Sequence, residues 1–232
     1  MTTRKIYTFN GTSKIELKTT GDLSASQKSD LLTGKPAAAT DTDYLSSIVK
    51  FIYGDHADEV GNGGLEYFRD RGNNRLGDIV HSAPVYVGAP NASYPDSLET
   101  SLYSTFKSDN SGRKGTVFVG SNDGMLHAFN ADNGTEQFAY IPSMLFSSSA
   151  NKGLHYYASQ LYEHQYYVDL TPTVADVYVG ANWKTMLVGG VRGGGKGIFA
   201  LDITTAGSPT LQFEFTHNDL GYTFSEIQVA KM

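Results

Sequence analysis

Apolar and polar positions alternate along residues 117–142 in a way that predicts three short strands joined by two tight turns. The turns, Asn122-Asp123-Gly124 and Asp132-Asn133-Gly134, each end in a glycine, which tolerates the positive φ of a hairpin turn at little cost. Apolar, often β-branched or aromatic residues dominate the runs between them. The pattern is typical of an antiparallel meander in an all-β protein.

The same order of four apolar runs occurs twice in the sequence. Residues 81–140 carry VYVG, TVFVG, LHAF and QFAY, and residues 170–215 carry VYVG, TMLVG, IFAL and QFEF. Repeated four-stranded units of this kind predict the blades of a β-propeller. Two sheets of a β-sandwich are the alternative that the pattern leaves open.

We therefore predict an all-β fold, a partial β-propeller with about two complete four-stranded blades, incomplete ends and small helical insertions. The blades are assigned to residues 77–142 and 169–216, with an insertion loop at residues 143–168 between them. Residues 217–232 are predicted to start a further, truncated blade. Because propellers close with about 4–8 blades, we expect the chain to be a fragment of a longer protein.

The residues before the first blade show two further patterns. Residues 1–20 predict a β-hairpin around Asn10-Gly11, and we expect its strands to be the outer strands of an incomplete blade. Residues 21–76 are predicted to form a helical and loop insertion. In this insertion, Ser24 is the expected cap of a helix that ends at Leu32, and apolar residues from 44 to 52 have helical spacing after Asp41-Thr42-Asp43, which offers caps.

Composition and charge narrow the function classes. The chain has 25 glycines and 15 tyrosines but only 18% charged residues, which suits an all-β fold. Its net charge of −6 argues against nucleic acid as a partner, and Arg69, Arg71 and Arg75 are the tightest basic cluster. No apolar run is long enough to span a membrane, and the first residues lack the apolar region of a secretion signal. The chain has no cysteine, so disulfides and thiolate chemistry are excluded.

Two patterns could carry nucleotide or metal chemistry. The run GVRGGGK at residues 190–196 matches the front of a phosphate-binding loop, but Gly197 stands where Ser or Thr is needed and a strand is predicted to follow. The six histidines show no metal-ligand spacing. We therefore predict a close-packed turn at the glycines and a structural, hydrogen-bonded His127. His164 and Asp169 are expected to be a structural pair.

The segment 130–136 has the composition of a calcium loop but not its register, and side-chain turns by Asn and Asp explain it more simply. The serines lack the G-x-S-x-G arrangement of a nucleophile elbow. We accordingly predict no catalytic, cofactor-binding or metal-binding residue in this chain, and no enzyme activity.

Longer motifs resemble the PilC/PilY family of type IV pilus proteins. The likeness runs from about residue 49 to the C-terminus. Its motifs are FRDR at Phe68–Arg71, RLGDIVHSAP at Arg75–Pro84, VFVGSNDGMLHAFNADNG at Val117–Gly134, EHQYYVDLTPTVADV at Glu163–Val177 and LVGGVRGGGKGIFALDIT at Leu187–Thr204.

The resemblance implies the C-terminal propeller of a secreted cell-surface protein at the pilus tip and outer membrane. It implies support of pilus assembly, twitching motility and adhesion, with minor pilins and host or abiotic surfaces as partners. Some members of the family carry a calcium loop in a later blade. The resemblance therefore implies calcium only in the remainder of the parent protein and no cofactor in this chain.

Two other classes remain open at this point. Residues 119–140 also resemble the repeats of quinoprotein dehydrogenases that use pyrroloquinoline quinone (PQQ), although those repeats have Trp where Phe138 stands. A scaffold propeller of outer-membrane protein assembly is the other class. The motif at residues 75–84 favours the pilus family over both.

Tyrosines in the two long insertions are the candidate protein contacts. Tyr94 and Tyr103 lie in the segment 89–114, and Tyr156 and Tyr157 lie in the segment 143–165. Aromatic side chains on loops suit protein interfaces, because they bury a large area at low entropic cost. The alternative is that the tyrosines pack over the propeller face.

Overall fold

Two β-sheets are the framework of the computed structural model, which describes residues 4–230. The first sheet has the strand order β2-β1-β6-β5-β4-β3 and the second has the order β10-β9-β8-β7. The strands of the first sheet are β1 (Ile6–Phe9), β2 (Lys14–Glu16), β3 (Val85–Val87), β4 (Thr116–Ser121), β5 (Met125–Asn130) and β6 (Glu136–Ile141). The strands of the second are β7 (Thr173–Val179), β8 (Asn182–Gly190), β9 (Ile198–Asp202) and β10 (Thr210–Phe215).

Four short α-helices lie in the segments between the strands. They are α1 (Ala25–Leu31), α2 (Asp41–Ile52), α3 (Tyr103–Asp109) and α4 (Gly153–Ala158). Single 3-10 turns occur at Thr20–Asp22, Ser143–Leu145 and Arg192–Gly194.

Both predicted four-stranded meanders are present. Strands β3 to β6 pair antiparallel in sequence order, and strands β7 to β10 do the same. The three-residue turn between β4 and β5 ends at Gly124, whose φ of +92° is the reason for a glycine there. The local alternation of the sequence is therefore sufficient to define both repeats.

The N-terminal hairpin belongs to the first sheet. Strand β1 pairs parallel with β6, with Ile6 opposite Ala139, so the hairpin adds two strands to the edge of the first meander. The prediction of a separate, incomplete blade is wrong, because the open backbone edge of β6 is filled by β1. Residues 1–3, which the predicted hairpin included, lie outside the described residues.

The predicted start of a further blade stays a prediction. Residues 216–230 form no strand, and no neighbouring strand in the described part of the chain offers them backbone partners. Ile227 instead packs on the cluster of Met186, Val188 and Ala200, and its carbonyl accepts a hydrogen bond from the Thr173 hydroxyl (2.9 Å). Residues 231–232 lie outside the described range.

The helical insertion has the two predicted helices. A capping box begins α1, in which the Ser24 hydroxyl accepts from the Gln27 amide and the Gln27 side chain accepts from the Ser24 amide. Helix α2 is capped by Thr40, one residue before the acidic cluster expected to supply the cap. Helices α3 and α4 lie where loops were predicted, and neither begins with a side-chain cap that the sequence would reveal.

The first sheet is packed on both faces. On one face, the Tyr140 ring lies 5.3 Å from the Phe199 ring of the second sheet, and the Tyr140 hydroxyl donates to Glu214 at 2.6 Å. On the other face, Ile6 and Met125 share the core with α2. The first sheet is therefore the middle layer between the helical insertion and the second sheet.

We expect Phe199→Ala to lower the free energy of unfolding by about 3–5 kcal/mol, because it opens a cavity between the two sheets. Phe215, on the neighbouring strand, is 48% exposed, so Phe215→Ala is the matched control and should cost less than about 1 kcal/mol. Urea unfolding of the protein measures both. Equal losses for the two variants would contradict a shared core between the sheets.

Candidate functional site

The motif at residues 75–84 runs as an extended segment, here called the strap, across the turn between β4 and β5. The Asp78 carbonyl accepts from the Asn122 amide (3.0 Å), and the Ser82 hydroxyl accepts from the Gly120 amide (2.8 Å). Further along, the Thr171 hydroxyl accepts from the Ala83 amide (2.9 Å). The strap therefore connects the first meander to the residues that lead into the second.

Two histidine–aspartate pairs fix the strap to residues 164–169. His81 Nδ1 lies 2.6 Å from an Asp169 carboxylate oxygen, and His164 Nε2 lies 2.8 Å from an Asp78 carboxylate oxygen. The His81 backbone amide also donates to Asp169 (3.0 Å). The predicted pairing of His164 with Asp169 is wrong, because each residue has a partner on the strap that sequence spacing could not show.

A cleft of about 230 Å³ opens beside the strap. We call it the Arg69 cleft. It is lined by Arg69, Arg71, Asn74, Leu76, Gly77, Asp78, Asn122, Tyr157, Tyr162 and His164. The lining joins residues from three distant parts of the sequence, so no local motif could have predicted it.

Arg69 is held by aromatic rings in the wall of this cleft. Its guanidinium carbon lies 4.6 Å from the centre of the Tyr157 ring and 4.3 Å from that of Tyr162, and its Nε donates to the Tyr157 carbonyl (2.7 Å). These contacts fix the plane of the guanidinium group. The side chain is therefore oriented before any partner arrives.

Arg71 is a buried structural residue. Its Nε donates to Glu59 Oε1 (2.6 Å), and its terminal nitrogens donate to the carbonyls of Phe51 and Asp55 (both 2.9 Å). Because Glu59 neutralises this guanidinium, Arg69, Arg71 and Arg75 do not form a basic surface patch.

An ionic network with a buried centre lies where the first sheet meets the helical insertion. His127 Nδ1 lies 2.7 Å from Glu136 Oε1, and its Nε2 lies 3.0 Å from Asp123 Oδ2. Arg4 donates to Glu136 through Nε (2.6 Å) and to the Tyr53 carbonyl (3.2 Å). His127 is structural and hydrogen-bonded, as predicted, and both its ring nitrogens are engaged.

The network shifts the proton affinity of its members. Burial alone would lower the pKa of His127, but the carboxylates of Asp123 and Glu136 outweigh it and raise the pKa from 6.5 to about 9. Burial would raise the pKa of Glu136, but hydrogen bonds from His127 and Arg4 lower it from 4.5 to about 2. The pKa of Asp123 is lowered against its burial, chiefly by His127. The ionised forms of all three groups are therefore stabilised in the fold.

Three of the four tyrosines proposed as protein contacts are buried. Tyr103 packs in an aromatic cluster with Phe106 and Trp183, while Tyr156 and Tyr157 lie in α4 beneath the surface. Tyr94 is 38% exposed, and its ring stacks on Trp183 at 5.1 Å. The prediction of contact tyrosines is therefore wrong for the three buried residues, whose rings fill apolar space inside the molecule.

The aromatic cluster anchors the insertion that contains α3 to the second sheet. The Tyr103 hydroxyl donates to Asp176 on β7 (2.6 Å), and the Trp183 indole donates to the Ser101 carbonyl (2.8 Å). Arg113 donates to the Thr185 hydroxyl on β8 (2.7 Å). This insertion is therefore a clamp from the first meander onto the second.

The remaining motifs are structural. The glycine-rich run contains the 3-10 turn Arg192–Gly194 and is followed by β9. A Cβ on Gly194 would lie 2.3 Å from the Tyr167 carbonyl oxygen, so the predicted close packing is confirmed. The Asn130 and Asn133 side chains accept from backbone amides two residues ahead, as expected for side-chain turns. Within residues 4–230, no group of three potential ligands for a metal ion and no helix able to cross a membrane was found.

Comparison with known proteins identifies similar sequences. A family model described as the PilY1 beta-propeller domain matches residues 76–232. The type IV pilus biogenesis factor PilY1 of Pseudomonas aeruginosa (strain UCBPP-PA14) is 38% identical over 243 residues, which cover 99% of this chain and 20% of that protein. A PilY1 homolog of Xylella fastidiosa (strain Temecula1 / ATCC 700964) is 42% identical over 163 residues, covering 67% of this chain and 13% of that protein.

A solved structure is also similar to this chain. The crystal structure of the Pseudomonas aeruginosa PilY1 C-terminal domain is 39% identical, with a TM-score of 0.49, and the match covers 63% of this chain and 29% of that one. The chain spans about a fifth of the length of the Pseudomonas relatives.

The buried network predicts how stability depends on pH. Because the pKa of His127 is raised on folding, its contribution is complete below about pH 6.5 and is lost as the pH rises through about 9. Because the pKa of Glu136 is lowered, its contribution is complete above about pH 4.5 and is lost as the pH falls towards about 2. The free energy of unfolding should therefore be highest between about pH 4.5 and about pH 6.5, where both contributions are complete.

We expect the free energy of unfolding to fall by up to about 3 kcal/mol between about pH 6 and pH 9.5, and His127→Gln to abolish most of this fall. Chemical unfolding at both pH values measures this difference in the free energy of unfolding for each protein. His217 is exposed, so His217→Gln is the control and should keep the original pH dependence. An unchanged fall in the His127 variant would contradict the assignment.

Proposed function

The chain belongs to the PilY1 β-propeller family, as its motifs indicated, and from this premise we propose that it is a non-catalytic structural and interaction part of a type IV pilus biogenesis factor. The family model names the propeller fold, and the two four-stranded meanders agree with it. The two relatives described above are named as a type IV pilus biogenesis factor and as its homolog, which supports a role in pilus biogenesis.

The observation that carries the proposal is how the fold uses the family's motif at residues 75–84. Asp78 and His81 are paired with His164 and Asp169, and the strap backbone is bound to the first sheet. These side chains hold two meanders in a fixed relation. A rigid framework that presents loops is what an interaction module requires.

The buried dyad of His127 and Asp123 gives no support to a hydrolytic function. A general base must reach the proton that it removes from a substrate. His127 is 1% exposed, and carboxylates occupy both of its nitrogens. The dyad therefore supports the fold, and no observation favours a PQQ dehydrogenase or an outer-membrane assembly scaffold over the pilus family.

The wider role is proposed from the family resemblance of the sequence motifs, since the names of the relatives state only pilus biogenesis. The parent protein would lie at the cell surface, associated with the pilus tip and outer membrane, where it would support pilus assembly, twitching motility and adhesion. Minor pilins and host or abiotic surfaces are the proposed partners. Calcium, if the parent binds it, would be held by residues outside this chain.

The proposal predicts a specific result for the pair of His81 and Asp169. In a bacterium that makes the parent protein, removing its gene should abolish surface pili and twitching, and the normal gene should restore both. A gene with His81→Asn should restore them equally, because asparagine can still donate to Asp169 but cannot transfer a proton at neutral pH.

Sheared pilus yield and twitching-zone diameter measure the outcome, and immunoblotting checks that the variant is secreted at the normal level. Loss of twitching by a His81→Asn protein that is secreted at the normal level and keeps the thermal stability of the original protein would contradict a non-catalytic role. Normal pili after removal of the gene would contradict a role in biogenesis altogether.

A further inference from the structure

We propose that the Arg69 cleft binds a carboxylate group on an extended peptide segment of a partner protein, with an apolar residue of that segment on its rim. This inference rests on the proposed function and adds the chemistry of the partner. The carboxylate could belong to an Asp or Glu residue or to the carboxyl terminus of the partner.

Arg69 has the geometry of a prepared anion receptor. Its Nε donates to the Tyr157 carbonyl and its guanidinium group packs on the rings of Tyr157 and Tyr162, while its two terminal nitrogens have no hydrogen-bond acceptor among the described residues. A guanidinium fork of this kind binds a carboxylate through two parallel hydrogen bonds. Because the aromatic rings already fix its orientation, binding costs little side-chain entropy.

The other charges of the cleft are already paired. Arg71 is neutralised by Glu59, and Asp78 accepts from Asn122 (3.2 Å) and lies 2.8 Å from His164. Arg69 therefore keeps a positive charge that no carboxylate among residues 4–230 pairs with. The nearby Asp78 carboxylate disfavours a dianion such as phosphate, so the charge balance favours a single carboxylate.

The size of the cleft fits one residue of a peptide. Its volume of about 230 Å³ is below the roughly 300–1,000 Å³ of sites that enclose drug-sized molecules. At its rim, the lining residue Leu76 is 45% exposed. Exposed apolar side chains beside a fixed charge suit an apolar residue next to an acidic one.

The walls of the cleft are supported by the core. Tyr157 lies in α4, and its ring packs edge-on against Phe51 of α2 at 5.8 Å and against Tyr167 at 5.9 Å. His164 and Asp78 fix the opposite wall through their contact. The cleft is therefore present before binding, as a recognition site needs to be.

The test is a titration of the isotopically labelled 232-residue protein with three peptides, followed by amide chemical shifts. The peptides are acetyl-Leu-Asp-amide, whose carboxylate is that of aspartate; acetyl-Leu-Ala with a free C-terminus; and the neutral acetyl-Leu-Asn-amide. We expect saturable shifts at Leu76, Tyr157 and Tyr162 with at least one acidic peptide and none with the neutral one. The two acidic peptides distinguish the sources of the carboxylate.

Variants of Arg69 distinguish the two parallel hydrogen bonds of its guanidinium group from the effect of its positive charge alone. Arg69→Gln should weaken binding about tenfold or more, because it removes a charged hydrogen-bond donor. Arg69→Lys keeps the positive charge but not the paired donors of the guanidinium group, so its affinity should lie between that of the original protein and that of Arg69→Gln. Arg75→Gln is the matched control; it removes a neighbouring arginine whose stem packs near Gly54 outside the cleft lining, and should bind normally.

A second variant keeps the proposal testable if Arg69→Gln does not fold. Leu76→Asp changes a lining residue that is 45% exposed, so it should fold normally and weaken binding by repelling the carboxylate. Equal binding of the neutral peptide, or full binding by folded Arg69→Gln, would overturn the proposal. Such a result would leave the pilus and twitching measurements, which test the proposed function, unaffected.

Discussion

Four charged side chains against the first sheet, of which Asp123 and His127 are buried and Arg4 and Glu136 are partly buried, must be satisfied together. This requirement determines how three parts of the sequence meet. Arg4 comes from the start of the hairpin, Asp123 from the turn after β4, and His127 and Glu136 from β5 and β6. Removing one member would leave an unpaired charge in the interior, which typically costs more than the network contributes as a whole. The hairpin, the turn and the helical insertion are therefore fixed relative to one another, since Arg4 also reaches the carbonyl that follows α2.

The strap and the clamp extend this arrangement to the second sheet by different chemistry. The strap uses two histidine–aspartate pairs near the surface. In the clamp, the Tyr103 ring packs beside Trp183 and its hydroxyl donates a hydrogen bond to Asp176. Aromatic packing of this kind provides both apolar contact and direction. The two meanders are thus joined by one polar and one largely aromatic connection, in addition to the core around Tyr140 and Phe199.

The sequence predicted the features that depend on residues close to one another along the chain. Alternation marked the strands, the Ser24 capping box marked α1, and the side-chain turns of Asn130 and Asn133 followed from local hydrogen bonding. Contacts between distant residues escaped it: the β1–β6 pairing, the crosswise histidine pairs and the Arg69 cleft all join segments separated by dozens of residues. Tyrosines in the long insertions were misjudged for the same reason, because exposure is a property of the packed protein.

The parallel pairing of β1 with β6 has a consequence for the order in which the molecule can assemble. Lys5 and Ile6 lie roughly 130 positions before Ala139, so β1 has no sheet to join until the first meander exists. Contacts of such long sequence separation form late and slow the folding reaction. A polypeptide that is synthesised with its earlier residues first therefore has an unpaired hairpin until the first meander has formed, and the docking of β1 completes the sheet.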